Sequence, residues 1–207
     1  MYAMGLGGAQ TIMIIYRLMC KSIMAKGETF FIRGQVATVQ GDQSRVVSTI
    51  DLGSYVNLGV NKGTAMRVHG VQLQVCDAFG LPPTTNFDPQ AGESVSSYAC
   101  AAITTKAVPS SLGSSSMPEL NDDSVFFTAA FVQTNQGDAA DQGIQSHSLD
   151  VAPQHMEDGY LLAVDELYLY AAADDSWTEL LHFNFLLEVS LENITQANAV
   201  ALSLSQQ

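Results

Sequence analysis

The sequence predicts an all-β fold, an eight-stranded jelly-roll-type antiparallel β-sandwich with a short C-terminal helix. Three observations lead there. Phe183, Phe185, Leu187, Val189 and Leu191 alternate with Asn184, Leu186, Glu188 and Ser190, a period of two that sets one row against a core and the other outward. About eight runs of strand length recur along the 207 residues, separated by turns or longer loops, which is the sequence look of a sandwich. Helical spacing is almost absent, and no repeat of fixed period is visible.

Taken in order, residues 1–23 differ from the rest of the chain. The apolar run Thr11 to Tyr16 is too short to span a membrane. Arg17 and Lys21 come after it rather than before, unlike a secretory signal. Ile12, Ile15, Met19 and Ile23 fall at helical spacing. The segment reads either as an amphipathic N-terminal helix or as an upstream extension outside the mature product. Met24-Ala25-Lys26-Gly27 resembles the start of a soluble protein. The expected organisation is therefore an extension over 1–23 and a single sandwich domain over 24–207.

Strands are expected over Thr29–Val36 and Arg45–Asp51, with a turn at Gly41-Asp42-Gln43 between them. From Met66 to Val75 the apolar phase is even at Met66 and Val68, then odd at Val71, Leu73 and Val75. The slip falls at Gly70, as at a β-bulge. The prolines at 82, 83 and 89 mark a loop. Ser94–Val108 is the next strand, with Tyr98, Cys100 and Ala102 on one face. Pro109–Pro118 is a polar connector, Val125–Val132 a strand, and Ile144–Val151 a short one. The apolar runs Tyr160–Ala172 and Trp177–Leu191 flank Ala173-Asp174-Asp175-Ser176. That break has turn composition, so the pair is expected to form a long antiparallel hairpin. Ile194, Ala197, Val200, Ala201 and Leu204 are helically spaced, favouring a helix over a last strand.

Charge narrows the function classes. The chain carries 8 Lys and Arg against 21 Asp and Glu, net −13. Through Lys106 eight bases face six acids, hence +2; beyond it fifteen acids face no base, hence −15. Direct binding to a phosphate backbone needs clustered bases, so no direct nucleic-acid contact is expected. The acidity suits solubility, a saline setting or a basic partner surface. Cys20, Cys76 and Cys100 are odd in number and include no CxxC pair, so reduced, buried thiols are expected rather than a disulfide framework.

Candidate chemistry is sparse. His69, His147, His155 and His182 show no metal-motif spacing, and structural histidines are expected. The acidic groups Asn121-Asp122-Asp123, Asp138 with Asp141, and Asp174-Asp175 lack the alternate-position ligands of a calcium loop. Asp165-Glu166 lies inside an apolar run, where adjacent strand residues face opposite sides. One of the two is therefore expected to lean inward or into an interface, as a paired structural charge or a glycosidase carboxylate. No catalytic, cofactor-binding or metal-ligating residue is singled out, and no cofactor is expected.

Gly27-Glu28-Thr29-Phe30-Phe31-Ile32-Arg33-Gly34 with Ser48-Thr49-Ile50-Asp51-Leu52-Gly53-Ser54-Tyr55-Val56 resembles the opening of small jelly-roll major capsid proteins of tailless icosahedral viruses of archaea or bacteria. The resemblance covers Gly27 to Val75, supported by Tyr168 with Tyr170 and the closing Leu202-Ser203-Leu204-Ser205-Gln206-Gln207. It implies a non-enzymatic coat subunit, made in the host cytoplasm and located in the virion, whose partners are itself and other capsid subunits. The basic N-terminal arm common among genome-contacting coat proteins is missing, so other proteins or an internal membrane would have to neutralise the genome. A carbohydrate- or surface-binding β-sandwich module is the second reading, although the only tryptophan, Trp177, lies beside a turn. An enzyme of cupin or glycosidase type, resting on Asp165 and Glu166, is the third.

Overall fold

A computed structural model describes residues 28–57, 62–83, 94–109, 113, 115–136, 144–177 and 179–206. Among the described residues nine strands are formed: β1 (Phe30–Ala37), β2 (Val46–Asp51), β3 (Lys62–Cys76), β4 (Ser94–Thr104), β5 (Val125–Gln136), β6 (Ile144–Val151), β7 (Tyr160–Leu162), β8 (Glu166–Ala173) and β9 (His182–Thr195). A helix, α1 (Gln196–Ser205), closes the order. One sheet has the order β1-β9-β3-β7 and the other β2-β8-β4-β5-β6. All pairings are antiparallel. Without β6 these are two four-stranded sheets between which the chain repeatedly crosses, the strand order of a jelly roll. β6 extends the free edge of β5.

The core lies between the sheets. Ile32, Val68, Val71, Phe185, Leu187 and Val189 meet Ile50, Ile103, Phe127, Leu167 and Leu169, all buried. Phe127 of β5 and Phe185 of β9 make an edge-on contact across the layers, with centroids 6.0 Å apart. β9 is the spine of its sheet: Phe183, Phe185, Leu187 and Val189 alternate inward as the sequence predicts, whereas Leu191, expected in the same row, is 40% exposed. It pairs with β1 on one side and with β3 on the other. The register of β3 shifts between Val68 and Gly70, at the glycine where the apolar phase slips. Gln154 seals that bulge: its amide accepts from Val71 N at 3.0 Å and donates to Val71 O at 3.1 Å.

The expected hairpin does not form. The run Tyr160–Ala172 breaks into β7 and β8 at Ala163-Val164-Asp165, and the pieces belong to opposite sheets. That division accounts for nine strands where eight are expected. β8 pairs with β2 and β4, not β9. The segment between β8 and β9 is a buried crossing rather than an exposed turn. Asp174 accepts from Tyr98 N at 2.7 Å and Ser176 N at 3.1 Å, and Trp177 Nε1 donates to Tyr98 O at 3.0 Å. A buried carboxylate that takes several donors holds irregular backbone as firmly as a strand ladder would.

The C-terminal helix forms as predicted, capped by Thr195, whose hydroxyl accepts from Asn198 N at 3.3 Å. Gln206 fastens its far end. Only 4% exposed, it accepts from Ala163 N at 2.9 Å and donates to Leu161 O at 2.7 Å, and its carbonyl accepts from Thr105 Oγ1 at 2.8 Å. Gln206→Ala leaves two backbone groups at the β7–β8 corner without partners. It is expected to cost about 2–3 kcal/mol, since each unmet buried group costs roughly 1–3 kcal/mol. Urea unfolding of the two proteins measures this. A loss below about 0.5 kcal/mol would mean the clamp contributes little.

Candidate interaction surface

The two sheets differ in what covers their outer faces. In the five-stranded sheet Tyr170 lies opposite Val47 and Ala102 on the outward row. It is nevertheless buried, because the β4–β5 connection lies over it. Tyr170 Oη accepts from Val108 N at 2.8 Å. The Arg45 guanidinium sits 5.4 Å above the Tyr170 ring and donates to Ser116 O. Lys106 and Asp122 pair at 3.5 Å in the same connection. The described parts of the β4–β5 connection are thus fastened to the domain at Val108 and Ser116.

Among the described residues the outer face of the four-stranded sheet is exposed at Phe31, Arg33, Gln72 and Gln74. Register sets out its rows: Phe31, Glu188 and Gly70; then Arg33, Leu186 and Gln72; then Gln35, Asn184 and Gln74. The last two rows line a groove of about 640 Å³. Asn184 is held from both sides. Its Oδ1 accepts from Gln35 Nε2 at 2.7 Å, and its Nδ2 donates to Cys76 Sγ at 3.2 Å. Among the described residues Gln72 and Gln74 make no side-chain hydrogen bond, and no carboxylate pairs with Arg33.

The one strong ion pair on this sheet, among the described residues, lies elsewhere. Arg67 grips Glu192, with Nη2 2.9 Å from Oε2, and also donates to Asp158 O at 2.8 Å. The hydrogen bond from Arg67 holds Glu192 below the ordinary 4.5.

The sequence-predicted candidates are scattered. Asp165 and Glu166 are both exposed, contrary to the expectation that one leans inward. Asp165 lies in the corner before β8, so the two do not alternate across a pleat. Glu166 accepts from Tyr168 Oη at 2.8 Å, and this raises the Tyr168 pKa. His69 shares a 2.8 Å hydrogen bond with Ser190 Oγ, and His147 meets Phe131 edge-on at 6.4 Å. Among the described residues no three His, Cys, Asp or Glu side chains are grouped to hold a metal ion. Asp122 Oδ1 accepts from Ser124 N at 2.9 Å, and Asp174 is taken up by the backbone of Tyr98 and Ser176. Asp138, Asp141 and Cys20 lie outside the described residues. Cys76 and Cys100 carry free thiols whose pKa burial raises. Trp177 is 2% exposed against Phe131 and offers no face to a sugar.

Apolar side chains are exposed at one end of the sandwich. Ala37, His182 and Cys76 share a row, so the connectors after β1 and β3 leave from the same end. They carry Val39, Phe79 and Leu81 outward, with Phe79 84% exposed. Local sequence patterns point to neither these tips nor the amide rows. The outward phase of each strand names the amides, but only the register brings them together.

The described fold is that of a jelly-roll β-sandwich, an assignment resting on this chain's own strand order. Among solved structures the chain is similar to VP1 of Trichodysplasia spinulosa-associated polyomavirus in complex with sialylated precision glycooligomers. The two are 10% identical with a TM-score of 0.44, over 82% of this chain and 95% of that one. It is also similar to a chain of the Merkel cell polyomavirus virus-like particle, at 10% identity and a TM-score of 0.40, over 95% of this chain and 81% of that one. No family model matches the chain, and no curated protein does.

Proposed function

We propose that this chain is a non-enzymatic viral coat subunit that self-assembles into an icosahedral shell. The observation that carries the reading is the combination of a jelly roll with exposed apolar tips, Val39, Phe79 and Leu81, projecting from one end. Exposed apolar side chains on these connectors are available for contact with a neighbouring subunit, and the rigid sandwich behind them fixes their direction. Many such weak contacts on a closed symmetric lattice add up to a stable shell. Residues 24–207 are taken as the coat domain and 1–23 as an extension ahead of it. Synthesis in the host cytoplasm, residence in the virion, and an archaeal or bacterial host follow from the sequence resemblance over Gly27–Val75. Partners are further copies and other capsid subunits. With fifteen acids and no base after Lys106, the genome is neutralised by another component, such as an internal membrane, rather than by direct contact.

The test is the mass in solution of chains starting at Met1 and at Met24, by light scattering across salt concentrations, with electron microscopy of the same samples. Rings or shells are expected, shifted towards smaller species by Phe79→Asp. A strict monomer at every salt and protein concentration would overturn the reading.

A further inference from the structure

We propose that α1 is the seat of a two-fold contact between copies of this chain, the helix of one copy packing antiparallel against the helix of another. This goes beyond the coat reading. α1 follows the end of β9 opposite the row that carries the apolar tips, and the pair forms whether or not a shell does.

α1 carries its apolar side outward. At about 100° per residue, Ala197, Val200, Ala201 and Leu204 fall on one arc of the helix. All four are exposed, Val200 by 47% and Leu204 by 68%. The side turned to the domain is mixed: Ala199 is buried, and Leu202 and Ser203 are half-buried. Ala199 rests above Gly63, where an added methyl group would stand 3.4 Å from its Cβ. A surface helix ordinarily turns its apolar arc to the core. Here the Thr195 cap and the Gln206 clamp hold it the other way round.

The order of residues along the arc selects the occupant. A two-fold axis crossing α1 between Val200 and Ala201 sets Ala197 of one copy against Leu204 of the other, and Val200 against Ala201. Each large side chain then meets a small one, as interdigitating packing requires. The alanines also let the two axes approach to the roughly 8–10 Å of packed helices. A parallel pair in register would instead stack Leu204 on Leu204 and leave a gap between the alanines. The same patch serves both copies, which is what a two-fold contact demands.

Charge agrees. Copies of net −13 repel one another, yet Gln196–Ser205 contains no charged side chain. Glu192, the nearest acid in the sequence, is already held by Arg67. Other occupants fit less well. A lipid surface takes a helix with Lys or Arg beside its apolar face, and α1 has neither. Residues 1–27 carry three bases and no acid, and α1 offers them no carboxylate. Ten residues of helix span about 15 Å, smaller than a standard interface, so the pair is weak and reversible.

The full chain carrying Phe79→Asp, which removes the tip contact, should be followed by sedimentation over a wide concentration range. A monomer–dimer equilibrium is expected, tighter at high salt because screening weakens the repulsion. Leu204→Glu and Val200→Glu are each expected to raise its dissociation constant at least about tenfold, with circular dichroism unchanged. Cross-linking reads the geometry. In a Cys20→Ser background, copies with Ala197→Cys mixed with copies with Leu204→Cys should form a mixed disulfide, and neither should link to itself. The proposal is overturned if no dimer forms, if Leu204→Glu changes nothing, or if Leu204→Cys links to itself. A dimer seen only for chains starting at Met24 would mean that residues 1–23 cover this face, and would overturn it too. A chain that pairs through α1 but never forms rings or shells keeps this contact and loses the coat reading. Shells unaffected by Leu204→Glu do the reverse.

Discussion

Gly159→Ala is expected to destabilise the domain by about 3 kcal/mol, mostly through backbone packing. Gly159 has φ 69°, in the left-handed region, where a side chain alone costs roughly 1 kcal/mol. A methyl group there would also sit 2.3 Å from Val68 O, with Val68 C at 3.2 Å and His69 Cα at 3.3 Å. All three are backbone atoms and cannot rotate aside. They belong to the bulge where β3 shifts register, a place already fixed by Gln154 on Val71 and by Arg67 on Asp158 O. Relief therefore requires moving β3 or the turn as a unit. Gly41 is the internal control: its φ is 70° but nothing lies within 4 Å of the added atom. Gly41→Ala should cost only about 1 kcal/mol. Chemical denaturation of both variants gives the comparison. Equal losses would show that the left-handed conformation, not the close approach to the bulge, decides the cost.

Phe185→Ala is expected to cost about 3–5 kcal/mol, the range for removing a buried ring. The side chain is 2% exposed on the inner face of β9 and contacts Phe127 of the other sheet edge-on. Its removal leaves a cavity between the layers, where both sheets are tied into ladders and neither can collapse freely. A double-mutant cycle with Phe127→Ala should return a coupling of about 1 kcal/mol, the worth of an aromatic pair beyond its buried area. A loss below about 2 kcal/mol for Phe185→Ala would mean that the sheets close over the gap, and the rigid sandwich behind the coat reading would have to be abandoned.

Local chemistry determined much of this protein through sequence alone. The period of two in Phe183–Val189 identified β9 and its inward face, and the phase slip at Gly70 located the bulge. The helical spacing of Ala197, Val200, Ala201 and Leu204 placed α1. Each is a relation among neighbours a few residues apart, and pleat, bulge and helix face are set at that range.

Tertiary structure decided what depends on distant partners. Asp174-Asp175-Ser176 has turn composition whether it closes a hairpin or crosses between layers. The choice was made by Tyr98, whose backbone reaches Asp174 and Trp177 from 76 and 79 residues away. The break at Ala163-Val164-Asp165 depends on Gln206 bonding Leu161 and Ala163, a contact no local pattern announces. The amide groove obeys the same rule. Gln35, Gln72, Gln74 and Asn184 each read as an ordinary outward strand residue. They become one surface because β1 and β3 pair with opposite edges of β9 in a register set by core packing, where a one-residue slip would turn every inward side chain outward.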